Sequence, residues 1–337
     1  MDKEGDLQIK LSVVIITKNE ERNIIKCLDS VYESLNEITI NYEVIIVDSN
    51  SSDQTIERVI SSRVKYKNLK VISIIESSQY SASLGRSIGT DQSRGTHLLF
   101  LDGDMELHKD FLEKSLKLLK NQTVNCIGII GKRNDVICFS DGTFQYRENV
   151  YNIKNDRKAI HFGGALLIDK NALITVGGYD ENIIASEEPE LFLRLKKRGF
   201  WIKEISVEMV THHIAAEEKT SIVSRIINNR SIGIGQAFRS SFQKKTILEL
   251  FSHTPLNKFL IPFIFDLTSL LLLISFFFIA EIKLLYIAIL IQLISFIVSV
   301  LNKGFKKYIY VKLNFFNILK GCLYKKETLF KLEKIVD

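Results

Sequence analysis

The sequence predicts an α/β domain with a mostly parallel central sheet, followed by a C-terminal helical membrane segment. Three observations lead there. From Leu11 to about Phe100, short apolar runs alternate with amphipathic stretches at the spacing of βαβ units. Three of those runs deliver a polar residue at their carboxyl ends. Residues 241–337, finally, combine the hydrophobic peak of the chain with its positive charge.

The candidate strands are Ser12–Ile16, Glu43–Val47, Lys70–Ile74 and His97–Leu101. Being almost wholly apolar, they read as strands covered on both faces. Helix candidates lie between them at Arg22–Glu33, Asp53–Ser61 and Ser81–Ser93. The first, second and fourth strands run out into Thr17, Asp48 and Asp102, and ligands of open α/β sheets bind outside such carboxyl ends. The three side chains therefore belong on one rim. Structural alternatives stand beside this: Thr17-Lys18-Asn19-Glu20 has the capping-box pattern, and Asp48-Ser49-Asn50-Ser51-Ser52-Asp53 is a polar loop able to turn and cap the next helix.

Asp102-Gly103-Asp104 is the short motif richest in chemistry. Two carboxylates one residue apart at a strand end offer hard oxygen ligands to Mg²⁺ or Mn²⁺. An isolated Asp-Gly is more often a tight turn, but a buried strand has little structural reason to concentrate acids beside two other polar strand ends. Farther on, Phe162-Gly163-Gly164-Ala165 enters a strand at Leu166–Ile168 through glycines that permit close backbone approach. The loop Gly177-Gly178-Tyr179-Asp180-Glu181 follows. Then Ser186-Glu187-Glu188-Pro189-Glu190-Leu191 opens a helix, Leu191–Arg198, that Gly199 stops. Acids there suit the helix dipole, and Ser186 is the candidate cap; a carboxylate at a crevice edge also suits a general base. After a strand at Trp201–Ile205 comes His212-His213, expected in a loop, where one ring can complete the coordination begun by the aspartates.

Of the 337 residues, those from 241 onward carry 13 Lys, no Arg and 6 acids, so the formal charge of +6 belongs to the tail and residues 1–240 carry a net −1. No nucleic-acid partner is expected. Residues 259–280 and 284–301 approach the roughly 20 apolar residues of a membrane span, separated by Glu281, Ile282 and Lys283. Lys244, Lys245 and Lys258 precede this hairpin and Lys303, Lys306, Lys307 and Lys312 follow it, which by the positive-inside bias puts both ends in the cytoplasm. A hairpin lying in the interface, or a buried helical pair in a complex, is the alternative. The N-terminus has no apolar run long enough for a signal peptide. Residues 1–240 form the expected catalytic domain on the cytoplasmic side, and 241–337 the basic membrane region. Cys27, Cys126, Cys138 and Cys322 are too scattered for a zinc or disulfide framework.

Taken in order, these pieces resemble the family-2 glycosyltransferases with the GT-A fold. The matching elements are Ile16-Thr17-Lys18-Asn19-Glu20, Ile46–Asp53, Gly85-Arg86-Ser87-Ile88-Gly89, Phe100-Leu101-Asp102-Gly103-Asp104, Gly177-Gly178-Tyr179-Asp180 and Glu187-Glu188-Pro189-Glu190-Leu191, over about residues 10–215. Members with a trailing membrane segment act in bacterial surface-polysaccharide and glycolipid assembly, so the resemblance implies a nucleotide-sugar donor, a glycan or lipid-linked acceptor and the cytoplasmic membrane of a bacterium.

Residue by residue, it implies that Thr17, Glu20 and Asp48 hold the base and ribose, and that Arg86 lies near the diphosphate. Asp102 and Asp104 become the metal motif, with Asp104 the more direct ligand and Asp102 shared with the ribose. The second member of the family's acidic pair is its base; this falls on Glu188, with Glu187 as the alternative. His212 fits the family's late metal position better than His213. Ser87 departs from the family, many of whose members carry Asn there. Two other classes remain open: a nucleotidyltransferase, although Thr17-Lys18-Asn19-Glu20 lacks the glycine-rich basic loop common in that class, and a catalytically silent nucleotide-binding scaffold. Asp135–Ile160 is expected on the acceptor side.

Overall fold

A computed structural model describes residues 10–120, 125–216, 230–252, 256–301, 304–324 and 327–336. The chain forms two compact units, one of residues 1–220 with 326–337 and the other of residues 221–325. The boundary expected at 240 falls inside the helix Arg230–Gln243, and the last residues return to the first unit.

Four parallel strands make the heart of the first unit: β1 (Leu11–Thr17), β2 (Tyr42–Asp48), β3 (Leu69–Ser77) and β4 (His97–Asp102), in the spatial order β3-β2-β1-β4. Their inward positions, such as Val14, Ile15, Ile45, Ile46 and Phe100, are fully buried, as strands covered on both faces require. The crossovers are α1 (Ile24–Leu35), α2 (Thr55–Ser62) and α3 (Ala82–Gln92). Because β1 lies between β2 and β4, the chain reverses its winding there and leaves a crevice at the carboxyl end of β1. Register places Thr17 opposite Asp48, and Ile16 opposite Asp102.

Beyond β4 the sheet is mixed. The path continues through β9 (Leu166–Asp169), β6 (Cys126–Cys138), β10 (Trp201–Ala215) and β5 (Met105–Leu107), with β7 (Phe144–Arg147) on β6 and β8 (Arg157–Lys158) on β10. Only β6 and β10 pair in parallel in this half. Strand β10 runs ten residues past the expected end at Ile205, so His212 and His213 lie in a strand and not in a loop. The extension is held by seven registered positions along β6, from Glu208 to Ala215. Helices α4 (Lys109–Lys120), α5 (Lys170–Thr175) and α6 (Glu187–Lys197) complete the layers. At the far edge β11 (Phe330–Val336) pairs antiparallel with β3 and covers an otherwise open strand.

Two capping expectations fail. Helix α1 begins at Ile24, without a side-chain cap, so Thr17–Glu20 is not its capping box. Ser186 precedes α6 in the left-handed region, at φ 70°, and its hydroxyl caps nothing. The polar loop after Asp48 does turn as its composition suggests, with Asp53 accepting from the Thr55 and Glu21 amides.

The second unit contains α7 (Arg230–Gln243), α8 (Ile247–Phe251), α9 (Asn257–Ile279), α10 (Ile282–Leu301) and α11 (Phe305–Leu323). Helices α9 and α10 match the two expected apolar stretches and have the length and composition to cross a membrane. They join through Ala280, at φ 57°, and Glu281. Asp266 of α9 is paired with Gln292 of α10 and Lys312 of α11, so Lys312 serves the helix contact and is not simply a flanking cation. Lys303 and residues 1–4 lie outside the described residues. All four cysteines are free thiols.

Candidate active site

The carboxyl rim of the sheet gathers the charged residues. Strand β4 ends in Asp102, and the next two residues turn tightly back over β1: the Gly103 amide donates to the Ile16 carbonyl at 2.9 Å. A β-carbon at Gly103 would stand 2.8 Å from Thr17 Oγ1, so only glycine lets the turn lie this close. Thr17 is buried, and its hydroxyl has no partner among the described residues. Beside it Glu20 accepts from the Asn23 amide at 2.8 Å. Asp48 is also buried; it accepts from the Ser51 amide at 3.0 Å, from the Ser51 hydroxyl at 2.5 Å and from Ser73 at 3.4 Å.

Arg86, on α3, is 1% exposed. Its guanidinium donates to Asp102 Oδ1 at 2.7 Å, to Glu187 Oε1 at 2.9 Å and to Glu188 Oε1 at 3.4 Å. One cation thus bridges the acids at the end of β4 to those at the start of α6. Tyr179 supports the arrangement, its ring 5.5 Å from the guanidinium and edge-on to Phe100. The Ser83 hydroxyl of α3 donates to the Asp180 carbonyl at 2.6 Å, which pins the Gly177–Asp180 loop beside this cluster. Helix α6 is fixed in turn by Arg194, which pairs with Glu190 and donates to the Val176 carbonyl at 2.6 Å. Glu190 is therefore structural.

Glu187 and Glu188 differ in environment. The Glu187 side chain is 8% exposed and tightly bound to Arg86, whereas that of Glu188 is 19% exposed and more loosely held. Burial, then the neighbouring Glu187 charge, pushes the Glu188 carboxyl up to about 8, against the pull of Arg86. A carboxyl with its pKa in that range can exchange a proton near neutral pH.

On the other side of Asp102, His212 Nε2 lies 2.9 Å from Asp104 Oδ2. Asp104 Oδ1 is buried with no partner among the described residues. Despite the cost of burial, hydrogen bonds to Asp104 and Asp135 raise the His212 imidazole to about 9. Among the described residues no ready-made cage of three or more metal-ligating side chains exists. A Mg²⁺-type site nevertheless typically takes one or two carboxylates, with substrate phosphates and water completing the shell. The orphaned Asp104 oxygen beside an imidazole nitrogen fits that donor set. The His213 ring instead faces Glu106, 2.6 Å away, while its backbone N–H donates to the Asp104 carbonyl at 2.9 Å.

Sequence reasoning missed Arg133 and the particular part played by Asp135. Both lie on β6, where Asp135 is the register partner of His212. Arg133 Nε donates to Asp135 Oδ1 at 2.8 Å, and Nη2 lies 2.5 Å from His212 Nδ1. Tyr151, hydrogen-bonded to Arg133, extends this group toward Glu188 and Asp102, whose charges it feels. No local pattern marks these residues, because the β6–β10 pairing brings them together across the chain.

A family model, glycosyl transferase family 2, matches residues 12–178. Among curated relatives, glycosyltransferase AglE of Haloferax volcanii is 36% identical over 118 residues, 35% of this chain and 38% of its own. The amylovoran biosynthesis glycosyltransferase AmsB of Erwinia amylovora is 27% identical over 220 residues, 61% of this chain and 70% of its own. The chain thus spans little more than a third of AglE. Among solved structures, S. aureus TarS 1-349 in complex with UDP-GlcNAc superposes with a TM-score of 0.50 at 17% identity, covering 74% of this chain and 75% of that one, a likeness of fold alone.

Proposed function

We propose that the chain, whose residues 12–178 match the glycosyl transferase family 2 model, is a glycosyltransferase that moves a sugar from a nucleotide-sugar donor to an acceptor hydroxyl by a single inverting displacement. The observation that carries this reading is the Arg86 bridge, which joins Asp102 at one end to Glu187 and Glu188 at the other. A donor whose diphosphate lies by the aspartates would then present its anomeric carbon toward the glutamates.

In that reading Thr17, Glu20 and Asp48 hold the base and ribose, and the unpartnered Thr17 hydroxyl has capacity for a ligand hydrogen bond. Asp104 and His212, with Asp102 beside them, would hold a divalent cation, Mg²⁺ or Mn²⁺, whose chemistry is to neutralise charge developing on the departing diphosphate. Glu188 accepts the proton of the acceptor hydroxyl as the oxygen attacks the anomeric carbon, and the bond to the diphosphate breaks on the opposite face. Arg86, buried and paired three ways, serves as the charge that holds Asp102 and the acidic pair in position. Tyr151, from the Asp135–Ile160 segment, belongs to the acceptor side.

Relatives named for amylovoran biosynthesis and for undecaprenyl-phosphate 4-deoxy-4-formamido-L-arabinose transfer support a role in surface polysaccharide or glycolipid synthesis. With α9 and α10 in the cytoplasmic membrane and the catalytic unit on the cytoplasmic side, tethering would raise the concentration of a lipid-linked acceptor at the site.

The test is release of free nucleoside diphosphate from a panel of nucleotide sugars, with Mn²⁺ and a membrane extract as acceptor source. Glu188→Gln should abolish release while preserving thermal stabilisation by the donor. Pyrophosphate release would make the protein a nucleotidyltransferase, and no product with any donor would make it a silent scaffold.

A further inference from the structure

We infer that Asp135 is a positioning residue for His212, the carboxylate behind the imidazole that turns its other nitrogen toward a cation at Asp104. This rests on the metal-assisted reading above and extends it by one residue. Histidines that ligate metals usually give their second ring N–H to a carboxylate or carbonyl, which fixes the ring and makes the ligating nitrogen more basic. His212 has Nε2 on Asp104, so the second nitrogen is Nδ1. The carboxylate oxygen that faces Nδ1 is Asp135 Oδ1, 3.5 Å away.

Three features mark this as a built arrangement. Asp135 and His212 are register partners on β6 and β10, so their side chains share one face of the sheet. The Asp135 side chain is 8% exposed, and a carboxylate taken that far from water needs firm partners. Arg133 supplies one by donating Nε–H to the same Oδ1 at 2.8 Å, and Arg133 is itself hydrogen-bonded to Tyr151. The order Tyr151, Arg133, Asp135, His212, Asp104 is thus continuous from the acceptor side to the metal motif.

In the geometry described, Nδ1 lies 2.5 Å from Arg133 Nη2 and Nε2 lies 2.9 Å from Asp104 Oδ2. With a cation at Asp104, Nε2 must present its lone pair, and the ring proton then resides on Nδ1. Asp135 Oδ1 is the acceptor for it once Arg133 Nη2, itself a donor, turns away from Nδ1.

Mn²⁺ alone is the probe, titrated into the full-length protein and followed by the paramagnetic resonance of the free ion. Asp135→Asn should weaken Mn²⁺ binding about 10–100-fold, the usual cost of losing such an outer partner. In a His212→Ala background the same substitution should change nothing further, because Asp135 acts through the ring; thermal melting controls for folding. Nitrogen-15 shifts of His212 in wild type should show the proton on Nδ1 once a diamagnetic Mg²⁺ is bound. Unchanged Mn²⁺ affinity in Asp135→Asn, or an equal loss with and without His212, would overturn the assignment while leaving the metal site standing. Failure of the wild type to bind Mn²⁺ would instead remove the metal reading, and this inference with it.

Discussion

A β-carbon at Gly164 would stand 2.3 Å from Asp102 Oδ2, and 2.8 Å from the Arg86 guanidinium nitrogen bound to the same carboxylate. The backbone entering β9 therefore packs directly against the acid at the end of β4, and the absence of a side chain at 164 sets where that acid points. Gly164→Ala should cost about 1–3 kcal/mol of stability, as overpacking of a filled site does. It should cost more in activity, about tenfold or greater, since 1.4 kcal/mol at the transition state is already a factor of ten. Denaturant midpoints and nucleoside diphosphate release measure the two; a variant less stable yet fully active would show that the Asp102 geometry does not matter to transfer.

Arg86 answers to the same logic from the other side. It is fully buried among three carboxylates, and removing it leaves them without their counter-charge. Arg86→Met, close in volume, should destabilise by about 3–5 kcal/mol at neutral pH, the usual cost of breaking a buried pair from one side. The defect should shrink as pH falls and the stranded acids take up protons. Urea unfolding at pH 7 and pH 5 checks both parts, and a pH-independent loss would mean that packing, not charge, is what Arg86 supplies.

How much of this could be read from the chain alone follows from the range of the forces involved. Strands β1 to β4 and their polar ends were legible because covered parallel strands are written as uninterrupted apolar runs, and Thr17, Asp48 and Asp102 sit where those runs stop. Asp104 and His212 lie 2.9 Å apart because β10 continues to Ala215 through Ser206, Glu208 and Thr211, residues whose polarity masked a strand. Arg86 was legible as a motif but not as a buried bridge, because its three partners come from two distant segments. Asp135 and Arg133 carry no local signature: only the pairing of β6 with β10 makes them neighbours of His212. The return of β11 to β3 was equally hidden, since Phe330–Val336 alternates with lysines and reads as a basic tail.

As the proposed base, Glu188 would give the activity a pH dependence with a definite sign. Its carboxyl is raised to about 8 by burial and by Glu187, so at neutral pH the free enzyme holds it largely protonated. A base must be ionised, and kcat/KM should rise with pH and level off above about 8. Stability should move the other way: a carboxyl raised above its unfolded value stabilises the fold fully at low pH, and that contribution is lost as pH climbs through the folded value. Glu188→Gln, permanently neutral, should therefore melt higher than wild type at pH 9 and alike at pH 5. A pH–rate profile flat from 6 to 9, or equal melting at pH 9, would take the titrating base away from Glu188.

The helical hairpin makes the last prediction. At 1.5 Å per residue, the 23 and 20 residues of α9 and α10 extend roughly 35 and 30 Å, enough for a hydrocarbon core of about 30 Å. Their outward faces are apolar and open, Phe277 and Phe278 being 83% and 86% exposed, while Asp266 and Gln292 turn inward to Lys312. That inversion, polar within and apolar without, suits lipid and not water. The full-length protein should remain with membranes through alkaline carbonate and leave only in detergent. The proposed orientation, with both basic ends in the cytoplasm, puts the turn at Glu281 on the opposite side, so in that reading Glu281→Cys should react in intact cells with a membrane-impermeant thiol reagent, while the exposed Cys138 should not. Release by carbonate would make the hairpin peripheral, and labelling of Cys138 before position 281 would reverse its orientation.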